Sequence, residues 1–199
     1  MIKAIIFDYG GVVTREGHIT PLMSELFDME ESKISKIWKE NSDDFVKGKE
    51  SPYEFLERMK KATGNNEETD DLLKRWKKLY DEFNKNLDYE VLEFTKELKK
   101  KYKLYILTDT IIINKGIGED GLVSRHFDRV FKSYEEGLKK PEPEAYLNVL
   151  EKTNLKPDEV IFIDDTKYIV EAAKKLGIKS IHYSGLNNLK NELKKLGVA

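Results

Sequence analysis

The chain reads as an α/β protein, a doubly wound parallel sheet of Rossmann-like type that carries a small all-helical cap. Three observations predict this. Short apolar runs alternate with helical patterns along most of the 199 residues. Two of those runs, far apart in sequence, end in aspartate: Ile6-Phe7-Asp8 and Ile163-Asp164-Asp165. One long stretch holds helical patterns and no strand.

The first run, residues 2–7, lacks helical periodicity and is rich in Ile and Phe, as befits a strand buried on both faces. Helical patterns then occupy residues 20–86. Ile34, Ile37 and Trp38 share one face. Ser51-Pro52-Tyr53-Glu54 is a capping box with proline at the first helical position, and it leads into Phe55, Leu56 and Met59. Thr63-Gly64-Asn65-Asn66 is a turn, after which Leu72, Leu73, Trp76, Leu79, Tyr80 and Phe83 recur at helical spacing. The periodicity assigns both tryptophans to the core. The domain boundaries that follow are residues 1–15 and 87–199 for the α/β core and 16–86 for the helical cap.

Beyond the cap the alternation resumes. A stripe of Leu87, Val91, Leu92, Thr95 and Leu98 precedes a strand at 103–107, and a third strand is expected at 128–131. Ala145, Tyr146, Val149 and Leu150 precede the fourth, at 160–163. Val170, Ala173 and Leu176, with Gly177 as C-terminal cap, precede the fifth, at 179–183. Leu189, Leu193 and Leu196 form the last helical stripe.

Composition narrows the function classes. Charged residues make up 36%, but the signs nearly cancel to a net −2, so no basic field favours nucleic acid. Cysteine is absent, which removes disulfides, thiol catalysis and cysteine-based zinc sites. The three histidines, His18, His126 and His182, are too dispersed in sequence for a histidine-rich metal cluster. No run approaches the ~20 apolar residues of a membrane span, so a soluble, cytoplasmic protein without a membrane partner is expected.

In a parallel sheet, ligands bind beyond the C-terminal strand ends, where Asp8, Asp164 and Asp165 would lie. Such carboxylates repel one another unless a cation is present, and Mg²⁺ suits them as a hard ion content with one or two carboxylates, water and phosphate. Gly10 and Gly11 permit a sharp turn and close backbone approach to a ligand. Lys140, stiffened by Pro141 and Pro143, could balance carboxylate and phosphate charge. Thr108 and Asp109 follow the second strand, where a hydroxyl could bond a phosphate oxygen. A cap leaving from that edge is placed to cover the pocket.

Taken in order, these residues resemble the haloacid dehalogenase-like (HAD) superfamily. The first motif is Phe7-Asp8-Tyr9-Gly10-Gly11-Val12-Val13 and the second Ile106-Leu107-Thr108-Asp109. The third is Ser133-Tyr134-Glu135-Glu136-Gly137 with Lys140-Pro141 and Tyr146, and the fourth Ile161-Phe162-Ile163-Asp164-Asp165-Thr166. The resemblance implies that Asp8 is a nucleophile forming a phosphoaspartate. It implies that Asp8, the Gly10 carbonyl and Asp165 bind Mg²⁺, with Asp164 supporting. It also implies that Thr108 and Lys140 hold the transferring phosphoryl group, and that Asp109, Gly10 and Gly11 line the substrate. The expected activity is a Mg²⁺-dependent phosphatase acting on a small phosphorylated metabolite.

One position departs from the pattern. The family's phosphatases usually carry a second aspartate two residues after the nucleophile, as proton donor and base, and here that position is Gly10. Such help is worth ~10²–10⁴-fold in rate. Three readings stand at this stage: a slow phosphatase preferring good leaving groups, one that recruits another group such as Glu16 or His18, or a catalytically inactive phosphate-binding or interaction protein. Dehalogenation is a further alternative, since the superfamily's dehalogenases also lack that aspartate. They typically carry Tyr at the position of Gly10 and no acidic pair in the fourth motif, so Asp164-Asp165 favour phosphate. Lys47, Tyr53 and Arg15 are candidate substrate-facing residues near or within the cap.

Overall fold

In the computed structural model, residues 1–114, 117 and 121–198 are described. Strand β1 (Ala4–Phe7) opens the chain. Five helices follow: α1 (Thr20–Phe27), α2 (Glu31–Asn41), α3 (Asp43–Val46), α4 (Pro52–Thr63) and α5 (Thr69–Phe83). Helix α6 (Tyr89–Lys99) leads to β2 (Lys103–Thr108), α7 (Leu122–His126) and β3 (Arg129–Lys132). Next come α8 (Ser133–Glu136), α9 (Pro143–Thr153), a 3₁₀ turn at Pro157–Glu159 and β4 (Val160–Asp164). Helix α10 (Lys167–Lys175), β5 (Lys179–His182) and α11 (Leu186–Lys195) complete the order.

The strands form one parallel sheet in the order β3-β2-β1-β4-β5. Strand β1 is central, with β2 on one side and β4 on the other, so successive connections run to opposite sides of it. This is the switch point at which open α/β sheets bind ligands. Both faces are covered. One apolar cluster joins Ile5, Phe7, Ile106, Ile161 and Ile163 to α6 and α11. The other joins Ala4, Ile6, Leu107, Phe131 and Phe162 to α9 and α10. Burial on both faces explains why the strands read as apolar runs rather than as alternations.

Each expected strand is present, with shifts at the ends. The first begins at Ala4 rather than Ile2, and the third begins and ends one residue later than expected. Leu87 lies outside α6 and instead bridges Thr14 in antiparallel fashion. Asp88 caps α6 by accepting the backbone N–H groups of Glu90 and Val91. That bridge, with Arg15 N–H donating to Asn86 O, ties together the two chain segments that lead into and out of the helical insertion.

The insertion has a core of its own, built on Met23, Leu26, Ile34, Phe45, Phe55 and Trp76. Phe45 and Phe55 stack with ring centroids 4.2 Å apart, and Trp76 tilts against both. The capping box at Ser51 and Glu54 forms as expected. Two features differ from the sequence reading. Ile111 and Ile113, from the loop after β2, join the helical cluster. Trp38 is only partly buried, and besides packing edge-on against Phe55 it lines the cavity described next.

Candidate active site

The parallel register sets the site. Phe7 pairs with Ile163, and Asp8 N–H donates to Ile163 O at 2.8 Å, which brings Asp8 beside Asp164 as the two strands end. One carboxylate oxygen from each of Asp8, Asp164 and Asp165 lies within 4.8 Å of the other two. Asp164 is wholly buried and Asp8 nearly so.

Lys140 neutralises this charge. Its Nζ lies 2.8 Å from Asp8 Oδ1 and 2.7 Å from Asp164 Oδ2, and its side chain is almost fully buried. The Lys140–Pro141 peptide is cis. The Lys140 backbone N–H donates to Asp109 Oδ1 at 2.9 Å, so the second and third motifs are tied directly. Burial opposes a charged ammonium, but the carboxylates of Asp8, Asp164 and Asp109 outweigh it and hold Lys140 protonated well above its ordinary range. Desolvation by burial raises the Asp8 carboxyl to about 7, with Asp164 adding to the shift and Lys140 opposing it. Burial likewise raises Asp109.

The carboxylates differ in which oxygens are engaged. Both Asp164 oxygens are committed, Oδ2 to Lys140 and Oδ1 to the N–H of Thr166, where Asp164 also tethers the start of α10. Asp8 Oδ1 accepts from Tyr9 N–H and Lys140, whereas no described hydrogen bond reaches Asp8 Oδ2. Among the described residues, Asp165 Oδ1 accepts only the Thr166 hydroxyl, at 3.1 Å. A hard cation therefore finds free oxygen donors on Asp8 and Asp165, and Asp164 is placed to act behind them. This donor set of carboxylate oxygens beside a turn backbone fits Mg²⁺.

The turn after Asp8 depends on its glycines. Gly11 has φ +69°, and a Cβ there would lie 2.1 Å from Asp165 Oδ2. A Cβ on Gly10 would lie 2.9 Å from both Cα and O of Gly17, because residues 14–17 fold back over the turn. The Thr14 hydroxyl fixes that fold by donating to Glu16 O (2.6 Å) and Tyr9 O (3.2 Å). Gly17 thus occupies the space that a side chain at position 10 would need.

Beyond the carboxylates lies a cavity of roughly 790 Å³, roofed by the helical insertion. Asp8, Gly10, Thr108, Asp109, Lys140 and Asp165 all line it. Asp164 lies beneath its floor, and Gly11 supports Asp165 without facing the cavity. The Thr108 hydroxyl makes no described hydrogen bond. From the insertion come His18, Ser35, Trp38, Lys39 and Tyr80.

The three candidate substrate-facing residues do not reach this space. Lys47 pairs with Glu142 (2.6 Å) and Asp43 (3.1 Å). Tyr53 is exposed on α4, and Arg15 is exposed on the connecting segment. Glu16 is also absent from the lining, whereas His18 is part of it.

Other residues escaped the sequence reading. Asn84 at the end of α5 donates to Asn114 Oδ1, Asn114 donates to the Thr110 hydroxyl, and Ser133 and Thr110 exchange hydrogen bonds at 2.9 Å. This chain links the end of the helical insertion to the loop after Thr108. Asparagines at helix ends are ordinary capping chemistry, so no local signal marks these. Tyr168 lines the cavity, and its place two residues after Thr166 was the only available cue.

Comparison with known proteins agrees with this geometry. A D-ribitol-5-phosphate phosphatase of Bacteroides thetaiotaomicron is 23% identical over 191 residues, covering 90% of this chain and 91% of its own. A phosphorylated carbohydrates phosphatase of Thermotoga maritima is 36% identical over 96 residues, 47% of this chain and 43% of that one. Among solved structures, a HAD family enzyme of Bacteroides thetaiotaomicron in complex with magnesium and inorganic phosphate superposes with a TM-score of 0.67 at 25% identity, covering 91% of this chain and 93% of that one. The profile of the haloacid dehalogenase-like hydrolases matches residues 2–177, and the chain belongs to that family.

Proposed function

We propose that this protein is a Mg²⁺-dependent phosphatase that hydrolyses a small phosphorylated metabolite through an aspartyl-phosphate on Asp8. The observation that carries the reading is the meeting of Asp8, Asp164 and Asp165 with Lys140 at the switch point of the sheet. Asp8 and Asp165, with the Gly10 carbonyl, would hold the cation, and Asp164 would support them while anchoring Lys140. When bound, the cation would supply charge neutralisation for a phosphoryl group and favour the ionised form of the Asp8 carboxyl.

The chain's own groups do the rest. Asp8 Oδ2, free of described hydrogen bonds, is the attacking oxygen or a cation ligand according to which face the phosphate takes. Lys140 and the unengaged Thr108 hydroxyl hold the equatorial phosphoryl oxygens, since phosphoryl transfer is chiefly a matter of alignment and charge compensation. The roofed cavity fits a sugar- or polyol-sized leaving group better than a phosphorylated side chain of a folded protein. The helical segment 16–86 serves as a cap that closes over it. The sugar and polyol phosphatases among its relatives favour the same substrate class.

The test is a panel of phosphate esters assayed with and without Mg²⁺, with Asp8→Asn as control. Activity that survives that substitution, or that needs no metal, refutes the reading. A phosphate-binding protein without turnover is the competing interpretation, favoured by the lack of room for an acid at Gly10. It predicts phosphate binding with no hydrolysis of even an activated aryl ester. A dehalogenase has no use for the acidic pair Asp164-Asp165, and its substrate would gain nothing from added Mg²⁺.

A further inference from the structure

Cleaving an alkyl phosphate leaves an alkoxide that must take up a proton, and the structure denies this task to position 10. Gly17 backbone atoms stand 2.9 Å from where a Gly10 side chain would begin, so the loop itself fills that space. The residue that follows Gly17 is His18. It is exposed, and it lines the same cavity as Asp8, Gly10, Thr108 and Lys140.

Resting on the phosphatase reading above, we propose that His18 is the proton donor to the leaving-group oxygen and the base for the attacking water. Several other proton-bearing groups of the cavity are poorly suited. Lys140 is locked between Asp8 and Asp164. Lys139 pairs with Asp43 on the insertion. The Tyr9 and Tyr80 side chains are buried. Asp109 accepts the backbone N–H of Lys140 and so serves to seat that loop. An imidazole can donate in one half-reaction and accept in the other near neutral pH.

The two steps balance. Asp8 forms an O–P bond as the bond from phosphorus to the leaving oxygen breaks, and the imidazolium N–H proton passes to that oxygen, releasing an alcohol. The neutral imidazole then takes a proton from water as its oxygen attacks the aspartyl-phosphate. The Asp8–phosphorus bond breaks, the carboxylate is restored, phosphate departs and the imidazolium is regenerated. The net co-reactant is one water.

His18→Gln and His18→Ala separate this role from a structural one, because His18 is exposed and its loss leaves the core intact. With full-length protein and Mg²⁺, kcat/KM for an alkyl phosphate such as a polyol phosphate falls by about 10²–10⁴-fold in both variants. For 4-nitrophenyl phosphate, whose leaving group needs no proton, the loss in kcat/KM stays below about threefold, whereas kcat falls on both esters because their shared dephosphorylation loses its base. Equal losses in kcat/KM on both esters, or none on either, overturn the role of His18. A loss selective for the alkyl ester in Asp109→Asn but not in the His18 variants assigns the proton to Asp109 instead and likewise overturns it. Activity surviving Asp8→Asn is a separate result that refutes the phosphatase reading itself.

Discussion

Replacing Lys140 with methionine tests the electrostatic centre of the fold. The methionine keeps most of the buried apolar stem but removes an ammonium 2.8 Å from Asp8 and 2.7 Å from Asp164, leaving both carboxylates without their cation in a buried site. Breaking a buried ion pair by removing one partner costs about 3–5 kcal/mol. For a domain of this size about 2–4 °C of Tm accompanies each kcal/mol, so Tm drops by roughly 6–20 °C at pH 8 in the presence of a chelator. The pH dependence has a fixed sign. The folded Asp8 carboxyl already titrates at about 7, above its ordinary value, and losing the lowering influence of Lys140 raises it further. A raised folded value means that Asp8 stabilises fully only below its unfolded pKa and loses that contribution as pH rises through the folded one. The gap between variant and wild type therefore narrows as the pH falls towards about 7, where the wild-type carboxyl also takes up its proton, and changes little below that. Added Mg²⁺ narrows it too, by replacing the missing positive charge. Differential scanning calorimetry across pH, with and without Mg²⁺, reads all three effects. A variant within about 3 °C of wild type at pH 8 without metal, or one indifferent to both acid and Mg²⁺, refutes the account of Lys140 as the counter-ion of the cluster.

Two further outcomes follow from the same geometry. Gly10→Asp, the obvious way to supply an acid, drives a Cβ into the Gly17 backbone, so urea unfolding should show a loss of about 1–3 kcal/mol rather than a simple gain of activity; an unchanged midpoint shows that residues 14–17 yield freely. Mg²⁺ binding by calorimetry should release a proton from Asp8, so that the apparent affinity weakens by up to about tenfold per pH unit below pH 7 and is flat above it; an affinity independent of pH over that window contradicts the raised Asp8 carboxyl.

Much of the site was legible because each of its parts leaves a local mark. Asp8, Thr108 and Asp164 each terminate an apolar run, and a strand buried on both faces writes itself as such a run. The helices of the inserted segment were legible from their 3.6-residue periodicity and the capping box at Ser51. The substrate-facing residues were not. Lys47, Tyr53 and Arg15 have suitable chemistry, yet Lys47 is spent on Glu142 and Asp43, and the other two are exposed and do not line the cavity. Which side of a helix meets the core is set by packing between segments that are distant in sequence, and no local pattern encodes that.

By itself the sequence determined the element order, the parallel sheet and the placing of acids at strand ends, since these follow from periodicity and turn chemistry over a few residues. Only the tertiary structure decided that Asp8 and Asp164 share one lysine, that Asp109 seats the Lys140 loop, and that Gly17 fills the space beside Gly10 and brings His18 to the cavity. Those contacts join residues far apart along the chain, and they exist only once strand register and loop closure have fixed which backbone lies against which.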